Sequence, residues 1–214
     1  MKLSIESMKH TEPIIQAINQ HPFVQELMAG TLARDKFTFY ITQDRLYLAD
    51  YGRALAAIAG RLYDPEHISS FLSFANDSMT MEKAMHASFL HDVPPAAISP
   101  TCTLYTAYIA RQLAFESVEV CVAAVLPCFW IYKMVGDYVI KHQTKGDNPY
   151  QSWINTYSGE EFEQAVERAL NIYDELAEKS SQSQRDKMLE AFLTCSKMEW
   201  MFWDSAYRLE QWPI

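Results

Sequence analysis

Apolar side chains return along this chain at helical intervals. Over 34–62 they stand at Phe37, Tyr40, Ile41, Tyr47, Leu48, Tyr51, Leu55 and Ile58, the i, i+3, i+4, i+7 spacing of one helix face. An earlier helix is predicted over 4–18 with a break at Pro13, and His21-Pro22-Phe23 reads as a turn into a short helix to Met28, closed by Gly30. Asp64-Pro65-Glu66 opens a helix to about Leu90, with proline at its first position. His91-Asp92-Val93-Pro94-Pro95 begins the most loop-like stretch, ending at Ser99-Pro100, which caps a helix over 101–115. Asn148-Pro149 starts a short helix through Trp153 and Ile154 towards Tyr157. Ser158-Gly159-Glu160-Glu161 and Ser181-Gln182-Ser183-Gln184 read as capping boxes for helices to about residues 179 and 208.

The stretch 118–138 is different, because its first half is apolar nearly all round. In a water-soluble protein that pattern belongs to a helix surrounded by other helices, so it is expected at the centre. Pro127 has no N–H to bond back to the carbonyl of residue 123, and its ring crowds that carbonyl, so the helix should bend or open there. Cys128 follows, with Tyr132 at i+4 on the same face. Taken alone, a cysteine in such a helix reads as a small buried hydrophobe.

Two carboxylates also interrupt apolar faces. Asp44 falls on the 34–62 stripe, and Glu199 lies near the stripe of Met188, Phe192, Cys195, Phe202 and Tyr207. A buried carboxylate is costly unless paired, so each needs a neighbouring hydroxyl, a cation or a ligand. Asp44, Cys128 and Glu199 each carry an aromatic at i+3 or i+4, namely Tyr47, Tyr132 and Phe202. Aromatic walls with a few polar groups suit a flat, nitrogen-containing ring: the walls stack on its faces and the carboxylates bond its edge.

Composition narrows the class. The chain has 214 residues, 49% hydrophobic and 13% aromatic, with only six glycines, which predicts an all-α fold in one domain over 1–214. A net charge of −9 without a Lys/Arg run argues against a nucleic-acid partner. The N-terminus turns polar at once, and the apolar run 120–132 is shorter than the roughly 20 residues of a membrane span. No membrane and a cytoplasmic location are therefore expected. Cys102, Cys121, Cys128 and Cys195 show no CxxC spacing and read as reduced thiols.

Five blocks, in order along the chain, resemble the thiaminase II (TenA) family: residues 21–24 (His-Pro-Phe-Val), 40–48 (Tyr-Ile-Thr-Gln-Asp-Arg-Leu-Tyr-Leu), 126–132 (Leu-Pro-Cys-Phe-Trp-Ile-Tyr), 153–157 (Trp-Ile-Asn-Thr-Tyr) and 199–203 (Glu-Trp-Met-Phe-Trp). The resemblance implies a haem-oxygenase-like all-α bundle assembled as a homotetramer. It further implies hydrolysis of 4-amino-5-aminomethyl-2-methylpyrimidine to the hydroxymethyl pyrimidine in thiamin salvage, with cleavage of thiamin as a related activity. Carried over residue by residue, the nucleophile falls on Cys128 with its partner tyrosine on Tyr132. The carboxylate that binds and protonates the ring falls on Glu199, and the one that holds its amino edge on Asp44. Ring contacts fall on Tyr47, Tyr105, Tyr157 and Phe202, with Tyr108 standing beside Tyr105 as an alternative. Phe129, where tyrosine is common, touches no assigned role.

Two rival readings remain beside this one. Glu82 and His86 have a metal-ligand spacing, but no histidine follows His142, so the last helices cannot complete a paired Glu-x-x-His centre. No metal or cofactor is expected, and His21, the candidate haem ligand, reads better as part of a turn. A non-catalytic pyrimidine-binding module has no use for Cys128.

Overall fold

A computed structural model describes residues 2–90, 96–144, 146–157 and 159–214, the side chains of residues 82 and 84–89 aside. The described residues form helices without strands: α1 Leu3–Asn19, α2 Pro22–Ala29, α3 Arg34–Ala59, α4 Pro65–Phe89, α5 Pro100–Phe115, α6 Val118–His142, α7 Gln151–Tyr157, α8 Glu160–Glu178 and α9 Gln182–Tyr207. The polar signals that predicted the helix starts act as caps. The His21 ring accepts from the Phe23 N–H at 3.1 Å, Asp64 from Glu66 at 2.9 Å, Ser99 from Cys102 at 3.2 Å and Ser181 from Gln184 at 3.3 Å. Gly30 closes α2 in the left-handed region at φ 71°, where only glycine sits without strain.

Three local expectations are corrected. α1 runs through Pro13 unbroken; Pro13 and Lys9, whose carbonyl it leaves unpaired, are both exposed, so water can satisfy the freed group. α6 keeps Pro127 within its helical span, where the Tyr51 hydroxyl bonds the nearby Val125 carbonyl at 2.8 Å. α8 is capped by Gly159 without a side-chain bond, while Ser158 lies outside the described residues. At α9, Gln184 does not reach back to its own cap but turns to Ser117 and to Glu119 (2.9 Å), tying α9 to the start of α6. The loop expected at 91–95 and the Glu82/His86 pair also fall outside what the structure describes.

α6 is the central helix: it packs against α1, α2, α3, α5, α7, α8 and α9. By length and composition the whole of α6 could span a membrane, which the short run 120–132 did not suggest; 78% of its most apolar window is buried inside the bundle. Burial on all sides leaves no room for an all-polar face, which is why its first half is apolar all round. Gly136 permits one close approach, since a Cβ there would lie 2.8 Å from the Tyr157 carbonyl oxygen. The missing side chain lets the end of α7 seat directly on α6.

Candidate functional site

Along α3, Tyr40, Asp44, Tyr47, Leu48 and Tyr51 face inward as one buried stripe. α6 presents Cys128, Phe129 and Tyr132, and α7 presents Tyr157 held on Gly136. These elements enclose a cavity of about 790 Å³ lined by Asp44, Leu48, Tyr51, Cys128, Phe129, Tyr132 and Tyr157, with α4 and α8 adding Phe74, Met81 and Phe162. Nearer solvent, Asp77, Glu160, Glu161 and Arg168 complete it.

Of the eight residues picked out from the sequence, Asp44, Cys128, Tyr132 and Tyr157 line the cavity directly. Tyr47, Tyr105, Glu199 and Phe202 stand in the adjoining buried layer, and ring contacts join them: Tyr47 to Tyr105 at 4.8 Å and to Phe202 at 6.0 Å. The Tyr105 hydroxyl donates to Oε1 of Glu199 at 2.7 Å. Tyr108, the alternative to Tyr105, is only partly buried and lies beside Thr194 instead. Tyr132 and Tyr157 stack obliquely at 4.8 Å.

Electrostatics make this a protonated site. Asp44 is 3% exposed and its Oδ2 has no hydrogen-bond partner among the described residues; burial pushes its carboxyl up to about 7. Glu199, 1% exposed, is pushed up to about 8, first by burial, with the Tyr105 bond drawing it down and the Asp44 charge adding to the rise. The Cys128 thiol, reached from the cavity, stands well above its usual value because of burial and the charges of Glu199 and Asp44, while the Tyr47 and Tyr51 hydroxyls pull the other way. Among the described residues the buried Tyr47 hydroxyl makes no hydrogen bond of ordinary geometry; Cys128 and Tyr105 are polar groups beside it. At neutral pH the resting site thus holds a neutral thiol, a protonated Glu199 and an Asp44 near its midpoint.

Sequence reasoning passed over several wall residues. Tyr51, in the sequence only a member of the 34–62 stripe, reaches both Cys128 and the Val125 carbonyl. Phe129 was given no role, yet it lines the cavity and meets Tyr51 at 5.9 Å and Phe74 at 5.1 Å. Tyr40, one turn before Asp44, bonds Tyr132. The i±4 and i+7 spacing from Asp44 was the available signal for the two tyrosines; nothing local pointed to α4 or α8. Among the described residues no group of three His, Cys, Asp or Glu is placed to hold a metal ion.

Fold and site together define an all-helical bundle with a thiol and two protonatable carboxyls gathered at an aromatic cavity. The chain matches the TENA/THI-4/PQQC family over residues 8–209 and belongs to that family. It is 37% identical over 199 residues to the aminopyrimidine aminohydrolase of Bacillus subtilis, covering 90% of this chain and 84% of that protein. The solved TenA homologue from P. horikoshii OT3 matches with a TM-score of 0.84 and 28% identity, covering 97% of this chain and 99% of that one. A domain of unknown function with a heme oxygenase-like fold from Shewanella denitrificans OS217 matches with a TM-score of 0.73 at 14% identity, covering 96% and 92%, and shares the fold alone. The all-α, haem-oxygenase-like architecture expected from the sequence is the one observed.

Proposed function

We propose that this chain is an aminopyrimidine aminohydrolase of thiamin salvage. It converts 4-amino-5-aminomethyl-2-methylpyrimidine and water to 4-amino-5-hydroxymethyl-2-methylpyrimidine and ammonia, and it cleaves thiamin to the same pyrimidine and the thiazole alcohol. Supporting this reading are the name of the Bacillus subtilis relative and, above all, one observation: the Cys128 thiol and an Asp44 carboxyl whose Oδ2 has no partner among the described residues share the wall of an aromatic cavity, with the raised carboxyl of Glu199 in the buried layer adjoining it.

The chemistry follows from those protonation states. Asp44 offers its Oδ2 to the amino edge of the ring, Tyr157 meets a ring face at the cavity wall, and Tyr47, Tyr105 and Phe202 complete the ring site from the adjoining buried layer. Glu199, protonated near neutrality, gives its proton to a ring nitrogen as Cys128 adds to an electron-poor ring carbon, then takes the thiol proton in return. The ring has lost its aromaticity, and the amine leaves from the exocyclic CH2. Water adds to that carbon, and the thiolate departs as the ring is restored. Activation on substrate binding fits a thiol that is neutral at rest. The same reading makes the enzyme a cytoplasmic homotetramer, on the strength of the family resemblance; light scattering on the purified protein tests the assembly, and a monomer would refute it.

Purified protein and its Cys128→Ala variant, incubated with the aminomethyl pyrimidine and with thiamin, test the activity by formation of hydroxymethyl pyrimidine. The expected result is faster turnover of the aminomethyl compound, lost in the variant. No product from either substrate would overturn the proposal.

A further inference from the structure

Tyr40 carries none of the roles assigned above, yet its hydroxyl donates to the Tyr132 oxygen at 3.0 Å. A phenol has one proton and two lone pairs, so an oxygen that accepts along one direction must send its own proton along another. Among the described residues no protein acceptor takes the Tyr132 proton, and the rings of Trp153, Tyr157 and Trp203 pack against its own. Its open side is the cavity that it lines.

Tyr40 itself cannot move. It is wholly buried, stacked on Trp203 at 5.0 Å with an interplanar angle of 7°, and met edge-on by Phe202 at 5.9 Å and Trp153 at 5.7 Å. Burial, with the charge of Asp44 one turn on, holds its phenol well above the ordinary range, so it keeps the proton that it donates.

We infer that Tyr40 is a positioning residue of this site: by donating to Tyr132 it commits the Tyr132 proton to the cavity and makes Tyr132 a fixed hydrogen-bond donor to the reacting groups. The inference rests on the hydrolase reading given above. A donor held in one direction before substrate arrives loses no orientational freedom during the reaction, so the benefit belongs to turnover rather than to ground-state binding.

A double-mutant cycle separates this role from packing. Turnover of the aminomethyl pyrimidine is measured for the wild type, Tyr40→Phe, Tyr132→Phe and the double variant, with a melting curve for each. Tyr40→Phe keeps the ring stack and is expected to lower kcat about tenfold with KM within about twofold, the size of one lost hydrogen bond. Tyr132→Phe should lose at least as much, and the double variant no more than Tyr132→Phe alone. Fluorotyrosine at position 40, which restores the hydroxyl, should recover turnover to within about twofold, and it serves as the second probe if Tyr40→Phe folds poorly. With wild-type turnover intact, an unchanged kcat in Tyr40→Phe, losses that multiply in the double variant, or a KM that rises along with a falling melting temperature would overturn the role of Tyr40 alone. A wild type without turnover would remove the hydrolase reading, and this inference with it.

Discussion

The Tyr105 hydroxyl on α5 donates to the Glu199 carboxyl on α9 at 2.7 Å, so one helix moderates the acidity of a group carried by another. Burial, joined by the charge of Asp44, drives Glu199 upward, and this bond draws it part of the way back, to about 8. In Tyr105→Phe the restraint is gone and the carboxyl titrates higher still. The alkaline limb of kcat/KM, set by a Glu199 that must carry its proton, should move to higher pH, while the rate on the plateau falls about tenfold with the loss of the bond. A limb left in place would show that another group sets it.

Cys128→Ser replaces a polarisable thiol by a hydroxyl of nearly the same shape, at a position reached from the cavity. Turnover should fall on the order of a thousandfold or more, as expected when a nucleophile is removed. Binding of the hydroxymethyl pyrimidine, followed by calorimetry, should stay within about threefold. A variant with near-normal turnover would take Cys128 out of the mechanism.

Gly136→Ala places a methyl group 2.8 Å from the Tyr157 carbonyl and 3.2 Å from its Cβ. Alanine favours a helix interior over glycine by about 1 kcal/mol, but forced overpacking costs about 1–3 kcal/mol, so the fold should lose about 1 kcal/mol net. The displaced α7 carries Tyr157 away from Tyr132, and KM should rise several-fold. Unaltered KM in a protein of unaltered melting temperature would show that α7 shifts without consequence.

Asp44 and Glu199 hold their protons more tightly in the fold than in the unfolded chain, where carboxyls titrate near about 4. Their contribution to stability is therefore complete below that range, and it is lost as pH rises through about 7 for Asp44 and about 8 for Glu199. The substrate-free protein should melt at progressively lower temperature between about pH 5 and about pH 9. Glu199→Gln, which has no proton to lose, should flatten that slope and be the more stable protein at the alkaline end by about 2 kcal/mol. Parallel slopes for the two proteins would place the titrating group elsewhere.

Much of this architecture is local and was therefore legible. Helix starts at His21, Asp64, Ser99 and Ser181 were readable because a cap satisfies backbone donors within three residues of itself. The centrality of α6 showed in its apolar first half, since a helix packed on every side has no polar face to display. The break expected at Pro13 does not occur because the cost of a missing helix bond depends on what lies beside the freed carbonyl, which at Lys9 is solvent. Motif blocks marked Asp44, Cys128, Tyr132 and Glu199, and helical spacing alone set Tyr47 beside Asp44, Tyr132 beside Cys128 and Phe202 beside Glu199.

What only the tertiary structure decided is how those groups act on one another. Helical spacing says which side chains share a face of one helix; it carries no information about the distance between faces of different helices. That Tyr105 rather than Tyr108 holds Glu199, that Tyr40 bonds Tyr132, and that Gly136 seats Tyr157 are contacts between α5 and α9, α3 and α6, and α6 and α7. Protonation is decided there too. An aspartate and a glutamate near 7 and 8 are products of burial by several helices at once, and no stretch of sequence contains the environment that sets them.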